Sequence, residues 1–384
     1  MAEKFPIYAI NCIKTIESHG FEAWFVGGCV RDMLLNRPFY DIDIATNALP
    51  EDIIKMFDHT IPTGIKHGTV TVVLDDNNIE ITTYRSDGLY NDNRHPENVK
   101  FETNIKNDLS RRDFTVNALA YHYSGKLIDL FGGMNDLKNM VIKCVGMPEE
   151  RFKEDALRIL RCYRFASTLG FSIHEATEKA AIGLGELVRN VSGERILVEL
   201  KKLTFGKSFD AFAKFVNKGL LEFCGIGKLK NNIDTLLSSN TSYRLPVFLM
   251  LTEFDIQKFK DILKPDNALL SSIKALKEMA INEIPQNKRD IKLLLYKYSK
   301  ENVIIYFEYL KVLGINTNNI FCLLEEIEAK NEPYLLNHLN VNGNDLIKLG
   351  FSGKELGRKL NELCLLVIEY PEKNNKSDLL KFNH

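Results

Sequence analysis

Two aspartates one residue apart, in Asp41-Ile42-Asp43, follow a glycine pair and an arginine in Gly27-Gly28-Cys29-Val30-Arg31-Asp32. Residues i and i+2 of a strand point to the same face, so Asp41 and Asp43 present two carboxylates side by side. Such a pair repels itself unless cations neutralise it, and Mg²⁺ suits hard carboxylate oxygens shared with substrate phosphates. In a two-metal site one ion activates an attacking hydroxyl while the other holds the leaving phosphate oxygens. Asp41 and Asp43 are therefore the candidate metal ligands and catalytic carboxylates. Glu80, alone among apolar neighbours on the stretch 79–83, is a candidate third carboxylate. Gly28 lets backbone N–H groups approach a triphosphate closely, and Arg31 is placed to clamp it. Singly, a DxD is more often a solvated strand edge and a Gly-Gly a plain turn. Strand, Gly-Gly and DxD in succession point to metal-dependent phosphoryl or nucleotidyl transfer.

These residues, in this order, resemble the nucleotidyltransferase superfamily that includes poly(A) polymerases and tRNA CCA-adding enzymes. Further along, Arg111-Arg112-Asp113-Phe114-Thr115-Val116-Asn117-Ala118 is similar to the RRDFTxNA motif of the bacterial and eukaryotic CCA-adding class and its poly(A) polymerase relatives. The resemblance implies that Arg112 contacts the nucleotide and that Asp113 and Asn117 support the ribose or its loop. The stretch Asp129-Leu-Phe-Gly-Gly-Met-Asn-Asp-Leu137 is similar to the family's D-GG--DL turn, a structural close to the first domain.

Glu154-Asp155-Ala156-Leu157-Arg158, continued by Arg161 and Arg164, resembles the family's EDxxR helix and implies a protein template for base choice. On a helix Asp155 and Arg158 are i,i+3 neighbours able to meet one base edge-on. Cytosine and adenine both offer an amine donor beside a ring-nitrogen acceptor, whereas guanine and uracil reverse that polarity. A carboxylate beside an arginine thus accepts C and A and leaves G and U with unmatched buried groups. At about 100° per residue, Asp155 and Arg164 fall on opposite sides of an ideal helix. All four cannot then face the base, which gives Arg161 and Arg164 to phosphate contact, to tRNA or to propping the template pair. The spacing itself also fits an ordinary surface ion pair.

Between these motifs, the polar segment 85–99 carries Gly88 and Pro96 and reads as a mobile loop. It resembles the flexible loop of enzymes able to add the terminal A, with Arg94-His95 where the family often has two basic residues. Gly193-Glu-Arg-Ile-Leu-Val-Glu-Leu-Lys-Lys-Leu203 is similar to the fifth family motif, which braces the template helix. Residues 341–360 look like the family's tail pattern of two short helices about a Gly turn.

The elements that must position these groups change character along the chain. A helix over 5–18 stops at Gly20, and short strands are expected at 22–26, 41–45, 69–74 and 79–84, where β-branched residues alternate. Beyond Pro148 helical patterns run on, broken at Gly170, Gly206, Pro265, Pro285, Gly314 and Pro333. The resemblance implies an α+β chain: a polymerase beta-like nucleotidyltransferase head over 1–147, then an all-helical neck over 148–205, body over 206–290 and tail over 291–384. Its implied function is addition of C, C and A to the tRNA 3′ end from CTP and ATP, without a nucleic-acid template, with Mg²⁺ as cofactor and pyrophosphate released. An A-adding enzyme or poly(A) polymerase shares the motifs, and an RNA-binding protein that kept the fold is the non-catalytic rival. The paired carboxylates speak against the last.

With 50 basic and 51 acidic residues the formal net charge is −1, so tRNA phosphates must be met by local basic clusters. Seven scattered cysteines lack CxxC or zinc-ligand spacing and read as buried free thiols of a reducing compartment. No stretch has the length of a membrane span and the N-terminus lacks a signal-like apolar run, so a cytoplasmic location is expected. The oligomeric state stays open, a homodimer included.

Overall fold

A computed structural model describes residues 4–87, 99–230, 234, 236 and 241–382. The chain divides into two compact units, Met1–Ile226 and Gly227–His384.

In the first unit, α1 (Ile7–Ser18) buries Ala9, Ile10, Ile13 and Ile16, the i,i+3,i+4 stripe of an amphipathic helix. Gly20, at φ 87°, then turns the chain into β1 (Ala23–Val26). There follow α2 (Gly28–Leu34), β2 (Ile42–Thr46), α3 (Pro50–Met56), β3 (Thr60–Gly64), β4 (Thr69–Leu74) and β5 (Asn77–Thr83). Next, β6 (Arg85–Asp87) pairs antiparallel with β7 (Val99–Phe101). The expected loop between them, with Gly88, Arg94, His95 and Pro96, lies outside the described residues. After α4 (Ile105–Ser110) come β8 (Leu119–Tyr121), β9 (Leu127–Asp129), α5 (Gly133–Lys138) and β10 (Val141–Ile142).

Seven of these strands form one mixed sheet in the order β3-β4-β5-β2-β1-β8-β9. The strands expected at 22–26, 41–45, 69–74 and 79–84 are β1, β2, β4 and β5, displaced by two residues at most. β3, β8 and β9 were not legible: β8 is buried throughout and β3 is mostly exposed, so neither shows the alternation that marks a half-buried strand. β2 is the central strand, antiparallel to β1 and parallel to β5. Ile42 and Ile44 are buried on one face of it, which leaves Asp43 on the other. Trp24, Val26, Ala45, Tyr84, Leu109 and Ala120 make a compact cluster that fixes the sheet against α4.

The helical part of this unit comprises α6 (Pro148–Glu154), α7 (Leu157–Leu169), α8 (Glu175–Gly183), α9 (Gly193–Thr204) and the short helices Phe209–Asn217 and Leu220–Phe223. One exception to all-helical character is β11 (Ser172–Ile173), which pairs parallel with β10 and ties the helices to the head. Arg37 adds a second tie by donating to the Leu169 carbonyl at 3.0 Å. Gly206 lets the end of α9 close on α7, because a Cβ there would stand 1.8 Å from Ser167 Oγ.

The second unit is helical over Arg244–Met250, Ile256–Leu263, Asn267–Ala280, Lys288–Lys297, Lys300–Val312, Asn318–Ala329, Gly343–Ile347, Gly353–Glu369 and Lys376–Lys381. Pro265, Pro285, Gly314 and Pro333 fall between these helices, where the sequence puts the breaks. The tail pattern is two helices about Gly350, at φ 94°, closed over Val341, Leu346, Leu363 and Val367. Among the described residues no helix is long and apolar enough to cross a membrane.

Candidate active site

A cavity of about 820 Å³ opens in the first unit between the central strand of the head and the start of α7. Asp41, Asp43, Gly28, Arg31, Arg112, Asp155, Arg158, Arg161 and Arg164 all line it. Glu80 does not line it; it sits beside Asp43 across the parallel β2–β5 pairing.

The floor is built by β1 and β2. Val26 lies opposite Asp43 in the antiparallel register, and the chain leaving β1 turns at Gly27 into α2. Gly27 has φ 72°, a conformation that L side chains avoid. A Cβ there would also stand 3.2 Å from an Arg112 nitrogen and 3.3 Å from an Asp43 oxygen. Both groups thus close in over the glycine, so any side chain there is strained and crowded.

Asp41 is exposed just ahead of β2, while Asp43 is half-buried within it. Burial pushes the Asp43 carboxyl up to about 6; Arg112 pulls it back, and the charges of Glu80 and Asp41 push the same way as burial. A carboxyl crowded by two other carboxylates is a position that a cation stabilises. Among the described residues no group of three or more His, Cys, Asp or Glu is gathered for a metal. The protein therefore offers a carboxylate pair, a donor set that fits a hard divalent cation keeping water and substrate phosphates as its other ligands.

Eight arginines and five aspartates line the cavity, a local positive excess in a chain of net charge −1. Buried carboxylates aim these arginines. Asp108, fully buried on α4, accepts from Arg111 at 2.6 Å and from Arg112 at 3.0 Å. Burial would raise its carboxyl, but the two guanidiniums outweigh burial and hold it below the usual range. Asp113 accepts from Arg161 at 2.8 Å and from the Asn117 amide at 3.1 Å. Burial again opposes the charge, and Arg161, Asn117 and Arg158 bring the carboxyl down to about 2. Asn117 in turn accepts from Arg31 at 2.7 Å, so a polar chain runs from α7 through Asp113 and Asn117 to Arg31 in α2.

Arg31, the clamp candidate, is partly committed to partners within the protein. It is 8% exposed and forks onto Asp32 at 3.0 and 2.7 Å besides bonding Asn117. A guanidinium has five N–H donors, so two remain for an anion. Arg164 donates to Glu199 of α9 at 2.8 Å and lies 3.5 Å over the Phe165 ring. Arg161 and Arg31 meet the same ring at 5.2 and 5.3 Å. One phenyl group thus lies within cation–π reach of three guanidiniums, most closely of Arg164.

The expected continuous helix through Asp155 and Arg158 is corrected by the structure. α6 ends at Glu154, Asp155 is extended (φ −142°, ψ 105°), and α7 begins at Leu157. The Asp155 carboxylate accepts from the Leu157 amide at 3.0 Å and from Arg195 at 2.9 Å; its ion-pair partner is Arg195, not Arg158. Arg158 bonds Glu154 and donates to the Arg111 carbonyl at 2.8 Å. The break also removes the angular objection to four residues sharing one site, since Asp155 is off the helix and Arg158, Arg161 and Arg164 follow one another at i,i+3 along one face of α7. Sequence reasoning missed Asp108 and Phe165, and it gave no individual role to Asp32, Arg195 and Glu199, which it quoted only within the Gly27–Asp32 and Gly193–Leu203 motifs; Arg195 and Glu199 supply the bracing expected of the second motif. Asp108 carried a signal, standing three and four residues before the two arginines; the others depend on tertiary packing.

The Poly A polymerase head domain family matches residues 23–143, and the family described as Probable RNA and SrmB- binding site of polymerase A matches residues 170–224. The chain is 37% identical to the CCA-adding enzyme of Lactobacillus delbrueckii subsp. bulgaricus, over 97% of this chain and 96% of that one. The CCA-adding enzyme of Pediococcus pentosaceus is 36% identical over 96% and 95% of the two chains. The crystal structure of Bacillus stearothermophilus CCA-adding enzyme in complex with CTP aligns with a TM-score of 0.80 and 30% identity, covering 100% of this chain and 97% of that one. With more than a third of its residues identical to these relatives over nearly its full length, the chain belongs to the family of CCA-adding enzymes.

Proposed function

We propose that this protein adds C, C and A to the 3′ end of tRNA from CTP and ATP, releasing pyrophosphate at each step. The observation that carries the reading is a cavity lined both by the Asp41–Asp43 pair of the head and by Asp155, Arg158, Arg161 and Arg164 of the helical part. Nucleotidyltransferases of this family use a divalent metal, and we assign it as Mg²⁺ held by Asp41 and Asp43, with Glu80 supporting the charge balance. The bound metal supplies charge neutralisation of the triphosphate and activation of the 3′ hydroxyl.

The remaining roles belong to the chain's own groups. The Gly28 backbone and the two uncommitted donors of Arg31 receive phosphate oxygens, and Arg112 neutralises charge beside Asp43. Asp155 accepts from the exocyclic amine of C or A, and Arg158 donates to the ring nitrogen. Arg161 and Arg164, locked by Asp113, Glu199 and Phe165, hold the base edge and nearby phosphate in place. Positioning and charge neutralisation supply most of the rate, as is usual for phosphoryl transfer. The division into head (1–147), neck (148–205), body (206–290) and tail (291–384), with tRNA along the helical part, is part of the same proposal. So is a cytoplasmic location, which suits seven free cysteines, six of them buried.

The deciding experiment is incorporation of each single nucleotide into tRNAs ending before CCA, after C and after CC. Two C additions followed by one A establish the reading. Addition of A alone, or of a long A tail, would support instead the A-adding or poly(A)-polymerase activity that the head-domain match also accommodates.

A further inference from the structure

The segment Arg37-Pro38-Phe39-Tyr40 enters the site at the cavity rim and splits its two aromatic rings. Phe39 goes inward: its ring centroid lies 5.1 Å from that of Phe5, which is stacked at 3.8 Å on Phe25 of β1. This anchor fixes the backbone of the next residue. Tyr40 goes the other way, with 86% of its surface exposed, and still lines the cavity. Among the described residues no other Phe, Tyr, Trp or large aliphatic side chain on the cavity wall is so exposed. Tyr40 also precedes Asp41 directly in the chain, so the two Cα atoms are about 3.8 Å apart, and both residues line the same cavity.

In nucleotidyl transfer, the group brought to Asp41 and Asp43 is the 3′ hydroxyl of the RNA acceptor, and the terminal base lies one sugar away from that oxygen. The incoming base is assigned to Asp155 and its arginines, which leaves the acceptor's terminal base without a partner. That base changes as the end grows, from whatever base precedes CCA to C and then to C again. A hydrogen-bonding reader tuned to one base edge would fail at some step. An aromatic face accepts any base, because every base has a π surface.

We propose that Tyr40 is the stacking platform for the 3′-terminal base of the RNA acceptor. The proposal rests on the nucleotidyltransferase reading above and adds a binding contact to it. Tyr40→Ala is expected to raise the KM for RNA roughly tenfold while leaving the KM for CTP or ATP within about twofold. Tyr40→Phe and Tyr40→Trp restore the wild-type KM, since the ring and not the hydroxyl makes the contact.

The test combines those kinetics with an RNA carrying pyrrolocytidine as its 3′-terminal residue, whose fluorescence falls on stacking. Quenching by the wild-type protein and by the Phe and Trp variants, lost in Tyr40→Ala, supports the contact. Quenching that survives in Tyr40→Ala, an unchanged RNA KM, or a rise confined to the nucleotide KM would overturn it. Those results all presuppose nucleotide incorporation by the wild-type protein. A wild-type protein that incorporates none would remove the functional reading, and the stacking role with it.

Discussion

Asp43 shows how a single residue can be poor for folding and, on the proposed function, serve the chemistry. Its carboxyl is raised from the ordinary 3.8 to about 6 by burial and by the neighbouring charges of Glu80 and Asp41, with Arg112 only partly compensating. A raised folded-state value means that the folded protein favours the protonated form. The contribution to stability is full below pH 3.8 and is lost as pH rises through about 6; above that the metal-free fold carries a strained carboxylate. Asp43→Asn removes the charge with little change of shape. We expect this variant to lose nucleotide addition and yet to melt higher than the wild type at pH 7.5 in chelator. At about 1.4 kcal/mol per pH unit, the gap is capped at about 3 kcal/mol. Paired thermal denaturations at pH 7.5 and pH 5 check this, the gap narrowing by about half at the lower pH. A wild type more stable than Asp43→Asn at pH 7.5 without metal would contradict the account. Below about pH 6 protons also compete for the same carboxylate, so metal affinity should weaken as pH falls.

At the scale of elements, the break between α6 and α7 turns two helices into a site. Nothing in 154–164 announces it: the stretch has no Gly or Pro and reads as one helix. The Asp155 side chain makes the break by capping the Leu157 amide while its other oxygen reaches Arg195 on α9, a tertiary contact that overrides local propensity. Removing Asp155 leaves the amine of a bound base without its acceptor, a loss of about 1–3 kcal/mol in a buried site. Asp155→Ala should lower use of CTP and ATP and narrow their advantage over UTP and GTP, and Arg195→Ala should move selection the same way more weakly. Steady-state incorporation of the four nucleotides decides, and an unchanged preference in both variants would put base selection elsewhere. Glu199, 5% exposed, anchors Arg164 from α9. Glu199→Ala leaves a guanidinium without its buried partner, a change that costs about 3–5 kcal/mol when an ion pair is broken from one side. A large fall in melting temperature is expected, with Glu199→Gln intermediate because it keeps a hydrogen-bond acceptor.

Across the whole molecule, the chemistry was more legible than the scaffold. Glycine pairs, paired carboxylates and arginine runs are constrained at every position by what they must touch, so their spacing survives in one sequence. β8 and β9 are three residues each and take their strand character from pairing with β1 and with each other, which no local pattern encodes. The second unit reads only as helices with breaks, because its requirement is a packed apolar stripe that many sequences satisfy. The same separation shapes how the protein should meet RNA. With a net charge of −1 there is no protein-wide field to gather phosphates, so RNA affinity must come from local basic groups. Each phosphate neutralised releases counterions, and log K should fall linearly with log salt, by about 0.7–0.9 per contact. On the proposed function Asp41 and Asp43 serve the triphosphate and the 3′ hydroxyl, not the RNA backbone at large. Asp41→Ala and Asp43→Ala should therefore abolish incorporation while leaving tRNA affinity within a few-fold and the salt slope unchanged. Filter binding of tRNA across a salt series, beside turnover assays on the same preparations, measures both quantities. Substantial turnover in either variant would end the two-carboxylate assignment. A changed slope would mean that these residues help to hold the RNA itself.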